Sequence, residues 1–444
     1  MSSLQRFPKI VGKFLDAAAK RDVDALTSTF RKSGVVNDEA RDYKGHDAIR
    51  GWVHTIFVHL KTNIHLETST QEDGKTLLST IVDGDFAAEY GITKSIKLDM
   101  YFTIVDDLIS ELYITDIPRG TPTMGAVYAI KKDFDNPLDS LRIGRRRLPT
   151  VQEGWVRVKV SAASINWHDV WTLRGVGMYP FSYPITMGVD GVGTLDDGTE
   201  VILYPVLGNP DFKGDETLDP NRNVLSELTS GTFAEYVKVP LRNIVPLPPQ
   251  LSPIAAASLG TAWLTAYRML FTKSDLRAGQ TMLVLGSSGG ITTALIQLGN
   301  AAGMIVWATG RTEEKRDLAK SLGASQVFPP GEKLPHKVDA VFNASGEAVL
   351  NESFEAIKTG GTIVLCGSHG GGMAKVDLNR IFVEQISLRG VYMGTLEEFK
   401  NLVDFVAVKG IKPRIGKVLP WNQAEEGFRD IWEGTTSGKV VLQF

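Results

Sequence analysis

A short apolar run begins at Thr281 and leads into a glycine-rich segment. Small and apolar residues then continue over 293–302 and predict a helix. In this strand–turn–helix setting, small residues let the backbone approach a pyrophosphate, whose charge the free N–H groups of the helix N-terminus stabilise. The predicted dinucleotide-binding residues are Gly286, Ser287, Ser288, Gly289, Gly290 and Ile291. Thr292 stands where a third glycine is common.

The next predicted strand, 305–308, indicates which dinucleotide is bound. It runs into Thr309, Gly310 and Arg311, and no Asp or Glu closes it. An acidic residue there would hold the ribose 2′-hydroxyl of NAD, whereas a neighbouring Arg accommodates the 2′-phosphate of NADP. We therefore predict NADPH, bound through Thr309, Gly310, Arg311 and Lys315. The alternative is that Arg311 is an exposed residue beside a helix cap.

Composition excludes several classes of partner. The net charge of −3 gives no reason to expect nucleic acid or a membrane surface. We interpret the basic run 142–147 as a solvated turn. Cys366 is the only cysteine, which excludes a disulfide within one chain and a zinc site of several cysteines. No apolar run is long enough to span a bilayer, and the polar beginning lacks a signal-type apolar core, so a cytoplasmic enzyme is expected.

The 444 residues favour two or three domains. In 1–117, helical apolar spacing over 7–30 and a helix over 45–60 precede four predicted strands, 63–70, 76–83, 96–105 and 110–117, which suggests an α+β domain. We take 118–123 as a linker and 124–255 as a β-rich region. Strands and helices alternate over 256–395, which predicts a doubly wound parallel α/β sheet. A helix over 396–409 and a strand over 439–444 complete this unit.

Residues 124–444 resemble the medium-chain dehydrogenase/reductase superfamily, in its zinc-independent, quinone-oxidoreductase-like branch. The matching segments, in order, are 162–169, 188–193, 231–237, 261–267, the glycine loop, 338–343, 360–364 and 438–441. The resemblance implies a GroES-like catalytic domain followed by a Rossmann domain, with the active site in the cleft between them. It also implies a small-molecule substrate.

The positions that match the catalytic zinc ligands of relatives are Asn166, Val189 and Thr261. None is a first-choice zinc ligand, so no metal is predicted. Without zinc, reduction of an activated C=C bond is the easier chemistry: hydride reaches the β-carbon, hydrogen-bond donors stabilise the enolate, and an acid protonates the α-carbon. Asp169 and Asp190 lie nearby, where turn or cap chemistry is their ordinary role.

The predicted catalytic residues are Asn166, His168 and Tyr179, with Tyr204 and Tyr267 as second choices. Asn166 would orient the cofactor or the substrate carbonyl. His168 and Tyr179 are candidate acids, with an exposed loop position and a packing role as their alternatives. Asn343, Gly367 and Ser368 follow predicted parallel strands at their carboxyl ends, where ligands bind in open α/β sheets, and are assigned to the cofactor.

Residues 1–117 resemble the SnoaL-like, nuclear-transport-factor-like α+β cone, through the segments 35–52 and 98–114. Such domains include polyketide cyclases and isomerases that use Asp/His pairs, and others that only bind or dimerise. The polar residues that could line such a pocket are Asp38, His54, His65, Asp99 and Tyr101. Because the curved sheet of these domains often forms a dimer face, a homodimer is one expectation.

The leading hypothesis is an NADPH-dependent, zinc-independent reductase of an enone, enoyl compound or quinone, acting on a polyketide-like natural product. The alternative is a cyclase or isomerase that uses the reductase fold and the SnoaL-like pocket without net redox chemistry, which Thr292 leaves open. A non-catalytic binding protein is a third hypothesis, against which the cofactor-loop context argues.

Overall fold

The computed structural model describes residues 7–38, 41–72, 74–85, 95–117, 121–177, 181 and 183–444. The chain divides into two units, Met1–Pro149 with Trp171–Thr186, and Thr150–Val170 with Met187–Phe444. Across the described ranges, no helix has the length and apolar character needed to cross a membrane.

The first unit begins with helices packed on a six-stranded sheet. The helices are Lys9–Lys20, Val23–Ser28 and Gly45–Val53, and a π-helix over His54–His59 continues the third. The strands are β1 (Phe30–Asp38), β2 (Arg41–Lys44), β3 (Asn63–Glu72), β4 (Lys75–Asp83), β5 (Ile96–Val105) and β6 (Leu108–Thr115). Their order is β2-β1-β6-β5-β4-β3, with β1 and β6 parallel and the other neighbours antiparallel.

The core of this sheet follows from alternation along its strands. Met100 and Phe102 of β5 are buried against Phe14 of the first helix. Asp106 and Asp107, with φ of 52° and 55°, form the predicted turn between β5 and β6. The prediction missed β1 and β2, because polar residues and a glycine interrupt their apolar positions and hide the period of two.

The first unit also holds a three-stranded sheet of order β10-β7-β8. Its strands are β7 (Thr123–Ala129), β8 (Leu141–Arg147) and, after β9 of the other unit, β10 (Ile185–Thr186). The interpretation of the basic run as a solvated turn was wrong, because it forms β8, paired antiparallel with β7. Arg145 donates to Thr123 O over 2.8 Å, and Arg146 lies 3.3 Å from the Asp116 carboxylate.

The second unit contains a seven-stranded sheet of order β16-β12-β11-β9-β24-β23, in which β15 also pairs with β9. Its strands are β9 (Trp155–Ile165), β11 (Asp190–Thr194), β12 (Glu200–Leu203), β15 (Tyr236–Pro240), β16 (Ile244–Pro246), β23 (Ile415–Pro420) and β24 (Lys439–Gln443). A separate hairpin pairs β13 (Val206–Leu207) with β14 (Asn223–Val224). The helix Trp167–Arg174 begins two residues after β9.

A six-stranded parallel sheet completes the second unit. Its strands are β17 (Thr281–Leu285), β18 (Ile305–Thr309), β19 (Gln326–Phe328), β20 (Val338–Asn343), β21 (Ile357–Leu365) and β22 (Ser387–Gly390). The order β19-β18-β17-β20-β21-β22 is the 3-2-1-4-5-6 order of the Rossmann fold. The predicted doubly wound α/β sheet is therefore confirmed.

Helices of the second unit connect and flank its two larger sheets. They are Pro253–Ala256, Leu264–Tyr267 between the π-helices Leu259–Trp263 and Arg268–Thr272, Gly290–Ala301, Glu313–Ser321, Leu350–Ala356, Leu378–Val383, Leu396–Lys409 and Ala424–Glu433. The prediction missed the helix Ala424–Glu433 and the strand β23, which lie between the predicted helix and strand of the C-terminal segment.

Candidate active site

The glycine loop connects the central strand β17 to the helix Gly290–Ala301. Gly286 has φ of 102°, a conformation that L side chains rarely adopt, so the turn after β17 requires glycine. The helix begins after Gly289 without any side-chain cap. Its first N–H groups are thus left for a ligand, which suits the pyrophosphate of a dinucleotide.

Thr292 replaces the third glycine without blocking the loop. Its hydroxyl donates to Gly289 O over 3.1 Å, and its side chain is buried. Its Cγ2 lies 3.5 Å from the position of a Cβ on Gly286, which is ordinary van der Waals contact. The departure that kept a non-redox function open is therefore accommodated within the helix.

The carboxyl end of β18 lies directly beside this loop. Gly286 N donates to the Thr309 hydroxyl over 3.0 Å, which ties the two strand ends together. A Cβ on Gly310 would lie 2.9 Å from Ser287 Oγ. Ser287 is 3% exposed, and its Oγ has no hydrogen-bond partner within the described ranges. An orphaned hydroxyl and a position closed to any side chain fit a bound adenosine ribose, so the residues present fit a nicotinamide dinucleotide.

Three cationic residues follow this strand end in sequence. Arg311 is exposed and Lys315 is partly buried, and both follow β18 as predicted. The sequence interpretation missed Arg316, whose Nη1 donates to Gly310 O over 2.8 Å. The helix cap at Thr312 is the signal that could have found it, because one turn of helix after that cap returns the chain to the end of β18.

The other strand ends place the remaining predicted cofactor residues. Asn343 is fully buried, and its side chain accepts from Ser345 N and Gly346 N over 2.9 and 2.8 Å. It therefore holds the turn after β20 rather than presenting its amide. Gly367 (φ 81°) and Ser368 are exposed after the end of β21 and remain candidates for cofactor contact.

A buried polar cluster follows β9, around Asp190. Oδ2 of Asp190 accepts from Asn166 Nδ2 over 2.9 Å and from Ser164 Oγ over 2.8 Å. Its Oδ1 accepts from the Thr261 hydroxyl, and Lys439 Nζ lies 3.5 Å from Oδ2. Asp190 is fully buried, so these donors are what stabilise its charge.

Lys439 joins this cluster to the glycine loop. Its Nζ donates to Ile165 O over 3.0 Å and to Asn166 Oδ1. Its Cδ lies 2.9 Å from the position of a Cβ on Gly290, the first residue of the dinucleotide helix. Burial lowers the pKa of Lys439, while Asp190 and Asp169 oppose that effect. Sequence reasoning matched the surrounding segment but assigned Lys439 no role.

His168 lies in this region and pairs with a glutamate that the sequence did not indicate. Its Nε2 is 3.1 Å from Glu227 Oε1, and the side chains are 18% and 3% exposed. Glu227 Oε2 is buried and has no partner in the described part of the chain. The alternative of an exposed loop histidine is wrong, because His168 is largely buried against a carboxylate.

Asp169 is fully buried, and its oxygens accept from the backbone N–H groups of Asn166 (2.7 Å) and Gly188 (3.2 Å). Burial raises its pKa to about 7. The cap role that its spacing suggested is thus observed, because both oxygens bind backbone groups around the turn.

The tyrosines differ in what they could contribute. Tyr204 is buried and donates to Gly394 O over 2.9 Å, and burial raises its pKa further from neutrality, so it is structural. Tyr267 packs on Phe271, with ring centroids 4.5 Å apart. The predicted acid Tyr179 lies outside the described residues.

The positions matched to zinc ligands serve packing and hydrogen bonding. Val189 is fully buried in the apolar core, and Thr261 and Asn166 both donate to Asp190. In the described part of the chain, no group of three or more His, Cys, Asp or Glu residues could hold a metal ion.

Trp167 stacks on His369, with ring centroids 5.2 Å apart and planes 10° apart. His369 follows Ser368 in the glycine-rich segment after β21, which we expected either to close over the nicotinamide or to form a plain surface loop. The stack places this segment against the residue next to Asn166.

The structure does not gather the polar residues predicted for a pocket in 1–117. Asp38 accepts from Trp52 Nε1 over 2.8 Å, and burial raises its pKa. His54 and His65 are exposed, and His65 lies 2.7 Å from Asp83. Asp99 and Tyr101 alternate with the buried Met100 and Phe102, so they lie on the opposite face of β5.

Two family models match this chain, mostly over residues of the second unit. The model described as alcohol dehydrogenase GroES-like domain matches residues 152–249, and the model described as zinc-binding dehydrogenase matches residues 290–408. Both matches lie within the region whose sequence resembles this superfamily, and they confirm the GroES-like and Rossmann parts of the fold.

Curated relatives cover the same region. The chain is 28% identical to a zinc-type alcohol dehydrogenase-like protein of Schizosaccharomyces pombe, over 72% of this chain and 99% of that protein. It is 27% identical to crotonyl-CoA carboxylase/reductase of Cereibacter sphaeroides (71% and 89%) and 28% identical to quinone oxidoreductase of Mus musculus (66% and 91%).

Solved structures share the fold. A crotonyl-CoA carboxylase/reductase in complex with NADP matches with a TM-score of 0.66 at 22% identity, over 72% of this chain and 95% of that one. An NAD-dependent alcohol dehydrogenase matches with a TM-score of 0.67 at 30% identity, over 72% of this chain and 100% of that one. Because a solved relative is matched over its whole length at this identity, the chain belongs to the medium-chain dehydrogenase/reductase family and is an oxidoreductase.

Proposed function

We propose that this oxidoreductase is an NADPH-dependent, zinc-independent reductase of an activated C=C bond or a quinone. The observation that carries the proposal is the end of β18. Gly310 stands there without a carboxylate, Arg311 and Lys315 follow, and the Ser287 hydroxyl is buried and unpartnered in the described part of the chain. This arrangement suits a ribose 2′-phosphate, and the described end of β18 carries no carboxylate to accept from the ribose 2′-hydroxyl. NADPH, when bound, supplies the hydride.

The chain's own residues would supply binding, orientation and a proton. The N-terminus of Gly290–Ala301 would hold the pyrophosphate. Asn166, fixed by Lys439 and Asp190, would orient the nicotinamide or the substrate carbonyl. His168, paired with Glu227, would protonate the α-carbon, and the other predicted acid is Tyr179.

The first 117 residues belong to the proposal as a SnoaL-like domain. Three helices packed on a six-stranded mixed sheet support that assignment. A polyketide-like intermediate is the substrate class that such a fusion suggests, by analogy alone. We also propose a cytoplasmic location, where the buried Cys366 would stay reduced, since burial raises its pKa to about 12.

A homodimer is also part of the proposal. The edge strand β22 offers unpaired backbone groups on its outer side. The neighbouring helix Leu378–Val383 exposes Leu378, Phe382 and Val383 by 71%, 67% and 65%. Exposed apolar side chains at a sheet edge are typical of a subunit interface.

The test is a titration followed by turnover. Tryptophan quenching with NADPH and NADH gives the two dissociation constants, and NADPH consumption with a quinone and with an enone then gives turnover. Selective NADPH binding with turnover of either acceptor is the expected result. Absence of NADPH binding would overturn the proposal.

The alternative function is a cyclase or isomerase without net redox chemistry. The observation that favours it is Asp38, whose pKa is raised and whose carboxyl accepts from Trp52. Two results together would move the assignment to this function. NADPH would bind tightly without being consumed in the presence of either acceptor, and Asp38→Asn would lose product formation.

A further inference from the structure

Arg316 is held at the end of β18 by a contact that no other residue of its helix makes in the described structure. Its Nη1 donates to Gly310 O over 2.8 Å. Its Cγ lies 2.9 Å from the position of a Cβ on Gly310, and Ser287 Oγ lies 2.9 Å from the same point. Arg316 Cγ and Ser287 Oγ therefore lie close together on the side of Gly310 where a side chain would begin, so only glycine fits beside them without a shift.

The charge of Arg316 is not neutralised by a neighbour. Asp317, the next residue, pairs with Lys320 over 3.5 Å, and no carboxylate lies within 4.0 Å of the Arg316 guanidinium in the described ranges. By contrast, Arg268 and Arg380 each pair with two carboxylates. A guanidinium carries five N–H donors, and Gly310 O accounts for one acceptor. Donors remain for a dianion.

We infer that Arg316, rather than Arg311, is the residue that selects a 2′-phosphate over a 2′-hydroxyl. The inference rests on the proposed function, since it concerns the same cofactor. Arg311 is exposed, and its side chain makes no hydrogen bond or ion pair in the described structure, so binding would have to immobilise a long side chain. Arg316 is already partly buried and anchored, so less conformational freedom is lost when it binds.

The experiment uses fragments that carry no redox chemistry. Calorimetry measures the dissociation constants of 2′,5′-ADP and 5′-AMP for the full chain. Because a charge-assisted hydrogen bond is lost, Arg316→Ala should raise the dissociation constant of 2′,5′-ADP by about 10- to 100-fold. The dissociation constant of 5′-AMP should change by less than about threefold. The matched control is Lys320→Ala, a cation on the same helix that pairs with Asp317, and it should leave both constants unchanged.

Arg316→Gln and Arg316→Lys keep the proposal testable if the alanine variant does not fold. Gln retains a donor for Gly310 O without the charge, and Lys retains the charge without the planar fork, so Gln should lose more of the preference than Lys. An equal loss of affinity for both fragments would show that Arg316 has only a structural role. Loss of preference in Arg311→Ala but not in Arg316→Ala would assign selection to Arg311. Both results overturn the inference.

Failure of the inference differs from failure of the proposed function. A wild-type chain that binds neither NADPH nor 2′,5′-ADP would remove the proposed function. A wild-type chain that prefers 2′,5′-ADP, with the preference unchanged in every Arg316 variant, would overturn the role of Arg316 alone.

Discussion

Replacing Lys439 with Met tests the buried cluster that joins the seven-stranded sheet of the second unit to the glycine loop. The side chains of Lys439 and Asp190 are 3% and 0% exposed and lie 3.5 Å apart. Removing one partner of a buried ion pair costs about 3–5 kcal/mol. Asp190 keeps three other donors, Ser164, Asn166 and Thr261, so we expect the lower end, about 3 kcal/mol. Met retains an unbranched stem beside Gly290, so the loss reports mainly the charge.

The assay is differential scanning calorimetry of the full chain near pH 7.5. A loss of about 3 kcal/mol corresponds to a fall of about 5–10 °C in the transition of the second unit. The matched control is Lys417→Met on the neighbouring strand β23. Its ion pairs with Glu426 and Asp430 are partly exposed, so it should cost about 1 kcal/mol or less.

A double variant separates charge from packing. In Lys439→Met with Asp190→Asn, neither charge of the pair remains, so about half of the lost stability should return. The reasoning would be refuted if Lys439→Met melted within 2 °C of the wild type, or if the double variant were no more stable than Lys439→Met alone.

Three further predictions concern the residues around His168 and the glycine loop. Glu227→Gln should lower kcat by about tenfold or more with little change in KM, because His168 loses its carboxylate partner. Steady-state consumption of NADPH measures both constants, and Glu332→Gln, a change at an exposed residue, is the control. Thr292→Gly should change the dissociation constant of NADPH by less than about threefold, and a tenfold gain would show that Thr292 obstructs the loop. Burial raises the pKa of Asp169 from 3.8 to about 7, so its contribution to stability is fully present below about pH 4 and is lost as pH rises through about 7. In Asp169→Asn, the melting temperature should depend less on pH over this range. An unchanged pH dependence would contradict the assignment of this titration to Asp169.

Local patterns were enough to locate the cofactor loop. The strands β17, β18 and β20 are short, mainly apolar runs followed by glycine or a helix cap, so they could be predicted with small errors at their ends. The short edge strands β19 and β22 were missed, because three or four residues carry too little periodicity. The helix Leu350–Ala356 ends where β21 (Ile357–Leu365) begins to pair with β20, and local patterns could not give that end because the pairing is not local in sequence.

The partners of the site residues could not be predicted for a related reason. His168 and Glu227 are 59 residues apart, and Asn166 and Lys439 are 273 apart. No local spacing connects such residues. Glu227 lies in a loop between short strands, where a charged residue is normally read as solvent-exposed. The cap at Thr312 is different, because it fixes the helical phase of Arg316 and was present in the sequence.

The cluster around Asp190 shows what Asn166 and Thr261, two of the three residues that the sequence resemblance matched to metal ligands, do in this fold. The Thr261 hydroxyl donates to Asp190, and Asn166 donates to Asp190 while its Oδ1 accepts from Lys439. The polar atoms at these positions are thus paired with one another, and the positive charge beside Asp190 comes from Lys439. A cation entering this cluster would have to displace that ammonium group from a buried position that it shares with Ile165 O. The stem of the same lysine lies beside Gly290, so the residue that balances the charge of Asp190 also adjoins the first turn of the helix Gly290–Ala301.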